Sequence, residues 1–169
     1  MANYFNISGE STQELLAPGS GANVRVISLT NVQKVSDCKV DLYIEKQTVG
    51  KFYLLKNVKI PFGVTLIYDE IKFSNAADEF GLYIKLTDGA TFTLTGEIDP
   101  AASATVPGSG TAFLSEISIG DEIVVQGETR TVSAIASDTS LTVTSAFSNN
   151  GNDATPDCNP TALVDVIIN

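Results

Sequence analysis

The chain has 169 residues, enough for one ordinary domain or two small ones, and 43% of them are hydrophobic, so it can close a core without disulfides or metals. Ten basic and twenty acidic side chains give a net charge of −10, and there is no histidine. Such a balance disfavours nucleic-acid binding, which needs clustered cations, and it removes imidazole from any catalytic or metal site.

Residues 1–9 show neither the basic start nor the apolar run of a signal peptide, and no apolar stretch approaches the roughly 20 residues that span a bilayer. The expectation is a chain made and assembled in a cytoplasm, with no membrane partner. Residues 22–32, ANVRVISLTNV, are β-branched and apolar on both faces, which predicts a buried central strand. In the next strand, CKVDLYIE (38–45), alternation points Cys38, Val40, Leu42 and Ile44 inward and Lys39, Asp41, Tyr43 and Glu45 outward. A strand at Phe52–Val58 is punctuated by Ile60-Pro61-Phe62-Gly63. Strands at Val64–Asp69 and Ile71–Phe73 lead to a polar loop or single helical turn at 75–79. Phe80–Leu86 then alternates again, with Leu82, Ile84 and Leu86 on one face.

After Thr87 the composition turns to Gly, Ala, Ser, Thr and Pro, with one strand candidate at Thr91–Thr95. Three short strands follow, at Glu122–Val125, Thr129–Ile135 and Leu141–Ala146, joined by tight turns at Gln126-Gly127 and 137–140. They predict a meander, a miniature barrel in outline. Residues 149–159 read as a polar linker. The last segment, TALVDVIIN (161–169), is too apolar for a free tail and needs a sheet to join. The expectation is that it returns to the first domain beside Phe80–Leu86. The fold class is therefore all-β: an antiparallel β-sandwich (jelly-roll/Ig-like), residues 1–87 plus 161–169, with a small inserted β-barrel-like meander module over 88–160.

Charge divides along the same line. Residues 1–85 hold nine basic and nine acidic groups, whereas residues 86–169 hold Arg130 against eleven acids. The first half can approach another protein, and the second should project into solvent.

Little chemistry is in view. No phosphate-binding glycine loop is present. The adjacent carboxylates Asp69-Glu70, Asp78-Glu79 and Asp121-Glu122 should point to opposite faces of a strand and so share no site. Calcium is the best metal candidate, at the oxygen-rich loop Asn149–Asp153, but that loop lacks the EF-hand pattern and reads better as solvated. No catalytic residue, cofactor or metal is expected. Cys38 and Cys158 fit no metal spacing, and they read as a buried apolar residue and an incidental loop residue. Tyr43 and Tyr83, on the outward phase of their strands, are surface contact candidates together with Lys39 and Lys85.

Residues 108–147 carry Gly110-Thr111-Ala112-Phe113, Ile119-Gly120-Asp121-Glu122-Ile123 and, at Ser137–Val143, SDTSLTV. This frame resembles a small β module that recurs in structural proteins of tailed bacteriophages. The first domain, with LLAPGSGANVRVISLTNV, DLYIEK, VKIPFGVTLIYDEIKF and FGLYIKL, is similar in style to the sandwiches of phage head-decoration and tail accessory proteins. The resemblance implies a non-enzymatic virion protein, first of all a capsid decoration (cement or knob) protein on the major capsid protein, with a tail, neck or fibre component as the alternative. Homo-oligomerisation is open. A sandwich that binds a host glycan or surface protein is the second class of reading.

Overall fold

The structure is a computed structural model that describes residues 2–75 and 80–169. The turn expected at 75–79, and with it the Asp78-Glu79 pair, lies largely outside the described residues. The protein is all-β, with several antiparallel sheets and, among the described residues, one four-residue helix. The chain divides into two compact units: unit 1 comprises residues 1–33, 37–88 and 162–169, and unit 2 comprises 34–36 and 89–161.

Unit 1 contains β1 (Asn3–Ser8), β2 (Gln13–Leu16), β3 (Asn23–Val24), β4 (Ile27–Asn31), β5 (Cys38–Lys46), β6 (Gly50–Ile60), β7 (Thr65–Tyr68), β8 (Phe73–Ser74) and β9 (Gly81–Thr87). Unit 2 contains β10 (Phe92–Thr93), β11 (Glu97–Ile98), β12 (Thr105–Ser109), α1 (Phe113–Glu116), β13 (Glu122–Val125), β14 (Glu128–Ser137), β15 (Ser140–Val143) and β16 (Asp157–Asn159). The last strand, β17 (Leu163–Ile168), belongs again to unit 1.

Two four-stranded sheets, ordered β1-β17-β4-β7 and β2-β9-β5-β6, make the sandwich, and a two-stranded ribbon joins β3 to β8. Their inward side chains form one cluster: Ile7, Leu29, Val164, Val166 and Ile168 from the first sheet, and Val40, Leu42, Leu82, Ile84 and Leu86 from the second. Period-2 alternation produces this directly, since every second residue of β5 and β9 points into the core.

Three expectations about unit 1 need correction. The segment 22–32 is not one strand: it breaks at Arg25 and Val26, whose N–H groups both donate to the carbonyl of Asn169, at 2.7 and 3.1 Å. The final strand does not lie beside Phe80–Leu86. That strand, β9, already has a neighbour on each side in β2 and β5, so its hydrogen-bonding edges are used. β17 instead lies between β1 and β4, with Val166 opposite both Phe5 and Leu29. Finally, β1 and β2 are full sheet members in segments the residue pattern had left unassigned.

Unit 2 is an open seven-stranded sheet, β10-β16-β13-β14-β15-β12-β11, and is not closed into a barrel. The expected meander β13-β14-β15 is its centre. Residues 149–159 are not merely a linker, because β16 pairs with both β13 and β10. Cys158 is accordingly a core residue, buried with Ile98, Val106, Phe113, Ile123 and Leu141. Neither cysteine is in a disulfide. Gly96 is required where it stands: its φ is +82°, and an added Cβ would lie 2.5 Å from the carbonyl oxygen of Ser109.

The Gly110–Phe113, Ile119–Ile123 and Ser137–Val143 segments of unit 2 each have a structural role. Phe113 fills the core, and Thr111 Oγ1 donates to the carbonyl of Asp138 at 2.6 Å. The Asp138 carboxylate accepts the N–H of Leu114 at 3.0 Å, so the turn before SLTV anchors α1. Asp121 is buried and accepts the N–H groups of Ser118 (2.7 Å) and Thr161 (2.9 Å), while Glu122 is exposed. These two carboxylates face apart, as strand geometry requires. These residues thus hold the module's turn, helix and exit segment.

Candidate interaction face

The outward face of the β2-β9-β5-β6 sheet brings the four sequence-nominated residues together. Cross-strand register aligns Glu14, Tyr83, Tyr43 and Tyr53 in one row. One row along lie Lys85 and Asp41, and beyond them Thr87, Lys39 and Lys59. On the other side, Glu45 is opposite Lys51.

The tyrosines touch one another. The Tyr43 ring stacks on Tyr83, with centroids 5.7 Å apart and planes 19° from parallel, and it meets Tyr53 at 5.5 Å in a tilted arrangement. Ammonium groups close over the rings: Lys51 Nζ is 3.9 Å from the Tyr43 centroid, and Lys56 Nζ is 4.2 Å from that of Tyr53. Tyr43 is consequently only 2% exposed. It keeps the outward phase of its strand, but neighbouring side chains on the same face cover it. Tyr83 is half-buried, whereas Lys39 and Lys85 are exposed.

Asp41 organises this face. Leu55 is opposite Leu42 and Val58 is opposite Val40, so β6 carries extra residues here as a bulge. Asn57, at φ +54°, lies within it. The Asp41 carboxylate accepts the Asn57 N–H at 2.6 Å and the Lys56 ammonium at 2.7 Å. Partial burial works against its charge, but these two donors outweigh it and hold the carboxyl below the usual range. Lys51 is the converse case: desolvation pulls it down, yet the Tyr43 hydroxyl and Glu45 keep its pKa above the ordinary lysine value. Tyr83 is raised by desolvation and by its hydroxyl's 3.2 Å bond to Glu14. The face is therefore a preorganised mosaic of five lysines, three carboxylates and three tyrosines on a chain with net charge −10. Tyr53, Lys51, Lys56 and Lys59 were not singled out from the residue pattern, because the bulge hides the phase of β6. Its burial pattern alternates only in part.

The structural division changes the charge split. Unit 1 has eight basic and eleven acidic side chains, net −3, and unit 2 has two and nine, net −7. Lys34 belongs to unit 2, where its ammonium donates to the carbonyl of Ile117. The separation is thus shallower than zero against −10.

The oxygen-rich loop Asn149–Asp153 spends oxygens on protein donors. Asn149 Oδ1 accepts the Gly151 N–H, and the Asp153 carboxylate accepts the N–H groups of Gln126 and Thr155. Among the described residues, no group of three or more His, Cys, Asp or Glu side chains could hold a metal ion, and no helix is long and apolar enough to cross a membrane. A cleft of about 490 Å³ in unit 1 lies along Val24, Arg25, Asp69, Ile71, Lys72 and Phe73, and its three charged residues are all exposed.

No protein-family model matches the chain, and no curated protein matches it in sequence. Among solved structures, the crystal structure of PBSX exported protein XepA is similar over 99% of this chain and 86% of that one, with 9% sequence identity and a TM-score of 0.31. The fold described above rests on the strand pairings themselves.

Proposed function

We propose that the chain is a non-enzymatic structural component of a tailed-phage particle, and within that class a capsid decoration protein. The observation that carries this reading is the role of the phage-like frame in unit 2. Each of its signature residues Thr111, Phe113, Asp121, Ile123, Asp138 and Leu141 either fills the core or ties a turn, so the likeness concerns a folding unit.

The lysine–tyrosine face supplies the docking surface. Its cations are distributed among carboxylates and aromatic rings, a mixture suited to a protein partner with acidic patches. A decoration protein bound across neighbouring capsid subunits favours the bound shell by mass action and so opposes its expansion or bursting. A glycan-binding reading would rest on an open aromatic ring on this face: Lys51 covers Tyr43, whereas Tyr53, beneath Lys56, stays 44% exposed.

The test has two parts. Mass spectrometry of purified particles should find the chain at high copy number; a few copies per particle would point to neck or tail, and absence would end the virion reading. Particles lacking the protein should bind the wild type and lose binding to a Lys39→Glu/Lys85→Glu double variant. They should also bind a chain whose residues 89–160 are replaced by a short Gly/Ser linker. Loss of binding by that chain while folded would make unit 2 the anchor.

A further inference from the structure

The sandwich has four edge strands, and three carry features that discourage further pairing. β6 bears Lys51, Lys56 and Lys59 and is bulged. β2 holds Glu14 and a register shift. β7 has only four residues, preceded by Pro61 and Gly63 and followed by Asp69-Glu70. The fourth edge, β1, is longer than β7 and, unlike β2 and β6, is neither charged nor shifted. Asn3–Ser8 pairs with β17 over six residues without a shift and contains no charge, glycine or proline. Phe5 points inward but is only partly buried, as expected where a core ends at an open edge, and Tyr4 is 72% exposed.

We infer that β1 is a strand-addition site and that its occupant is β1 of a second copy, paired antiparallel about a two-fold axis to make an eight-stranded sheet. This inference is independent of the virion reading. The strand is its own complement. Directly opposed residues of an antiparallel pair lie on the same face, so the axis must pass through a residue. Centred on Asn6, it opposes Phe5 to Ile7 of the second copy on the inner face, apolar against apolar. On the outer face it opposes Asn6 to Asn6 and Tyr4 to Ser8, polar groups throughout.

Charge also selects this seam for a second copy of a chain at net −10. The nearest strand charge is Asp165, directly opposite Asn6 on β17, and its carboxylate accepts the Asn6 amide at 2.6 Å. Two such residues would stand three strand spacings apart, about 14 Å, beyond the Debye length of about 8 Å at physiological ionic strength. Glu10, just past the strand, turns its carboxylate to the Asp88 N–H at 3.0 Å.

Cysteine substitution tests the seam, because both native cysteines are buried. Opposed Cα atoms at about 4.5–5.5 Å fall within disulfide reach. Under mild oxidation, full-length Asn6→Cys should form a covalent dimer. Ser8→Cys alone should not, since its two copies stand about 13 Å apart along the strands, but mixing it with Tyr4→Cys should yield the mixed dimer. Analytical ultracentrifugation should find the wild type dimeric. Asn6→Lys, whose ammonium can replace the amide on Asp165 and preserve the fold, should weaken the dimer by about tenfold or more through like charges at the axis. A wild type that stays monomeric at concentrations on the order of 100 μM, well above the micromolar constants of ordinary weak complexes, with no Asn6→Cys cross-link, overturns the proposal. A dimer that Asn6→Cys cannot cross-link overturns it as well, because its seam lies elsewhere.

Discussion

Deleting Leu163–Asn169 removes the strand that lies between β1 and β4. Val164, Val166 and Ile168, each at most 2% exposed, leave the core of unit 1. At about 1.5–3 kcal/mol for each fully buried aliphatic side chain, the loss is about 5–9 kcal/mol, before counting the ladders to both neighbours. A domain's whole stability is about 5–15 kcal/mol, so unit 1 should unfold. Unit 2's core contains no side chain from β17, so its folding should survive. Amide hydrogen exchange with residue resolution reads both outcomes. The expected pattern is loss of protection in β5 and β9, which never touch β17 in a ladder, with retained protection in β13 and β14. A milder substitution, Val166→Ala, should lower stability by about 1–3 kcal/mol. If the truncated chain keeps its protection in β5 and β9, the two sheets do not depend on a shared core and the reasoning fails.

Other outcomes follow from single sites. Gly96→Ala should destabilise unit 2 by at least about 1–3 kcal/mol, measured by denaturant unfolding, because its Cβ would meet backbone atoms of Ser109 and Gly110 at a positive φ. Burial pushes the Cys38 thiol up to about 11 and raises Cys158 further, so neither should react with a thiol reagent at pH 8 until the chain is denatured. Glu128 is held below its ordinary value by the N–H groups of Ser148 and Asn149, with Arg130 adding to them. A lowered folded pKa means stability that is complete above the unfolded glutamate value of about 4.3 and lost as pH falls through the folded one. The melting-temperature gap between wild type and Glu128→Gln should therefore be open at pH 7 and close in acid.

Alternation made much of the sandwich legible. Val40 and Leu42, like Leu82, Ile84 and Leu86, announce which way β5 and β9 face, because one side of each strand meets water and the other meets oil. What such a pattern cannot carry is pairing partners. That the terminal segment needed a sheet could be read from its apolar content; that the sheet was β1-β17-β4-β7 depended on which edges were already occupied. Unit 2 was harder for another reason. β10, β11 and β16 have two or three residues each, too few for a period, and bury single residues such as Ile98 and Cys158 in polar surroundings. At the candidate face, Lys39, Lys85, Tyr43 and Tyr83 were visible from phase alone. The closure of Lys51 over Tyr43 is a cross-strand event set by the bulge that Asp41 holds, and no single strand's sequence displays it.

The position of β17 also sets a timetable for the nascent chain. Asn31, the last residue of β4, and Leu163, the first of β17, are separated by 132 positions. At about 5–20 residues per second, β4 waits about 7–26 s for β17, its neighbour on one side. Unit 2 is completed within that interval, so the segment encoded in the middle can fold first. Throughout it the uncharged edge strand β1 lacks its partner β17. The burden of keeping the growing chain soluble then falls on the acidic module synthesised in between, whose net charge of −7 is already in place before the sandwich can close.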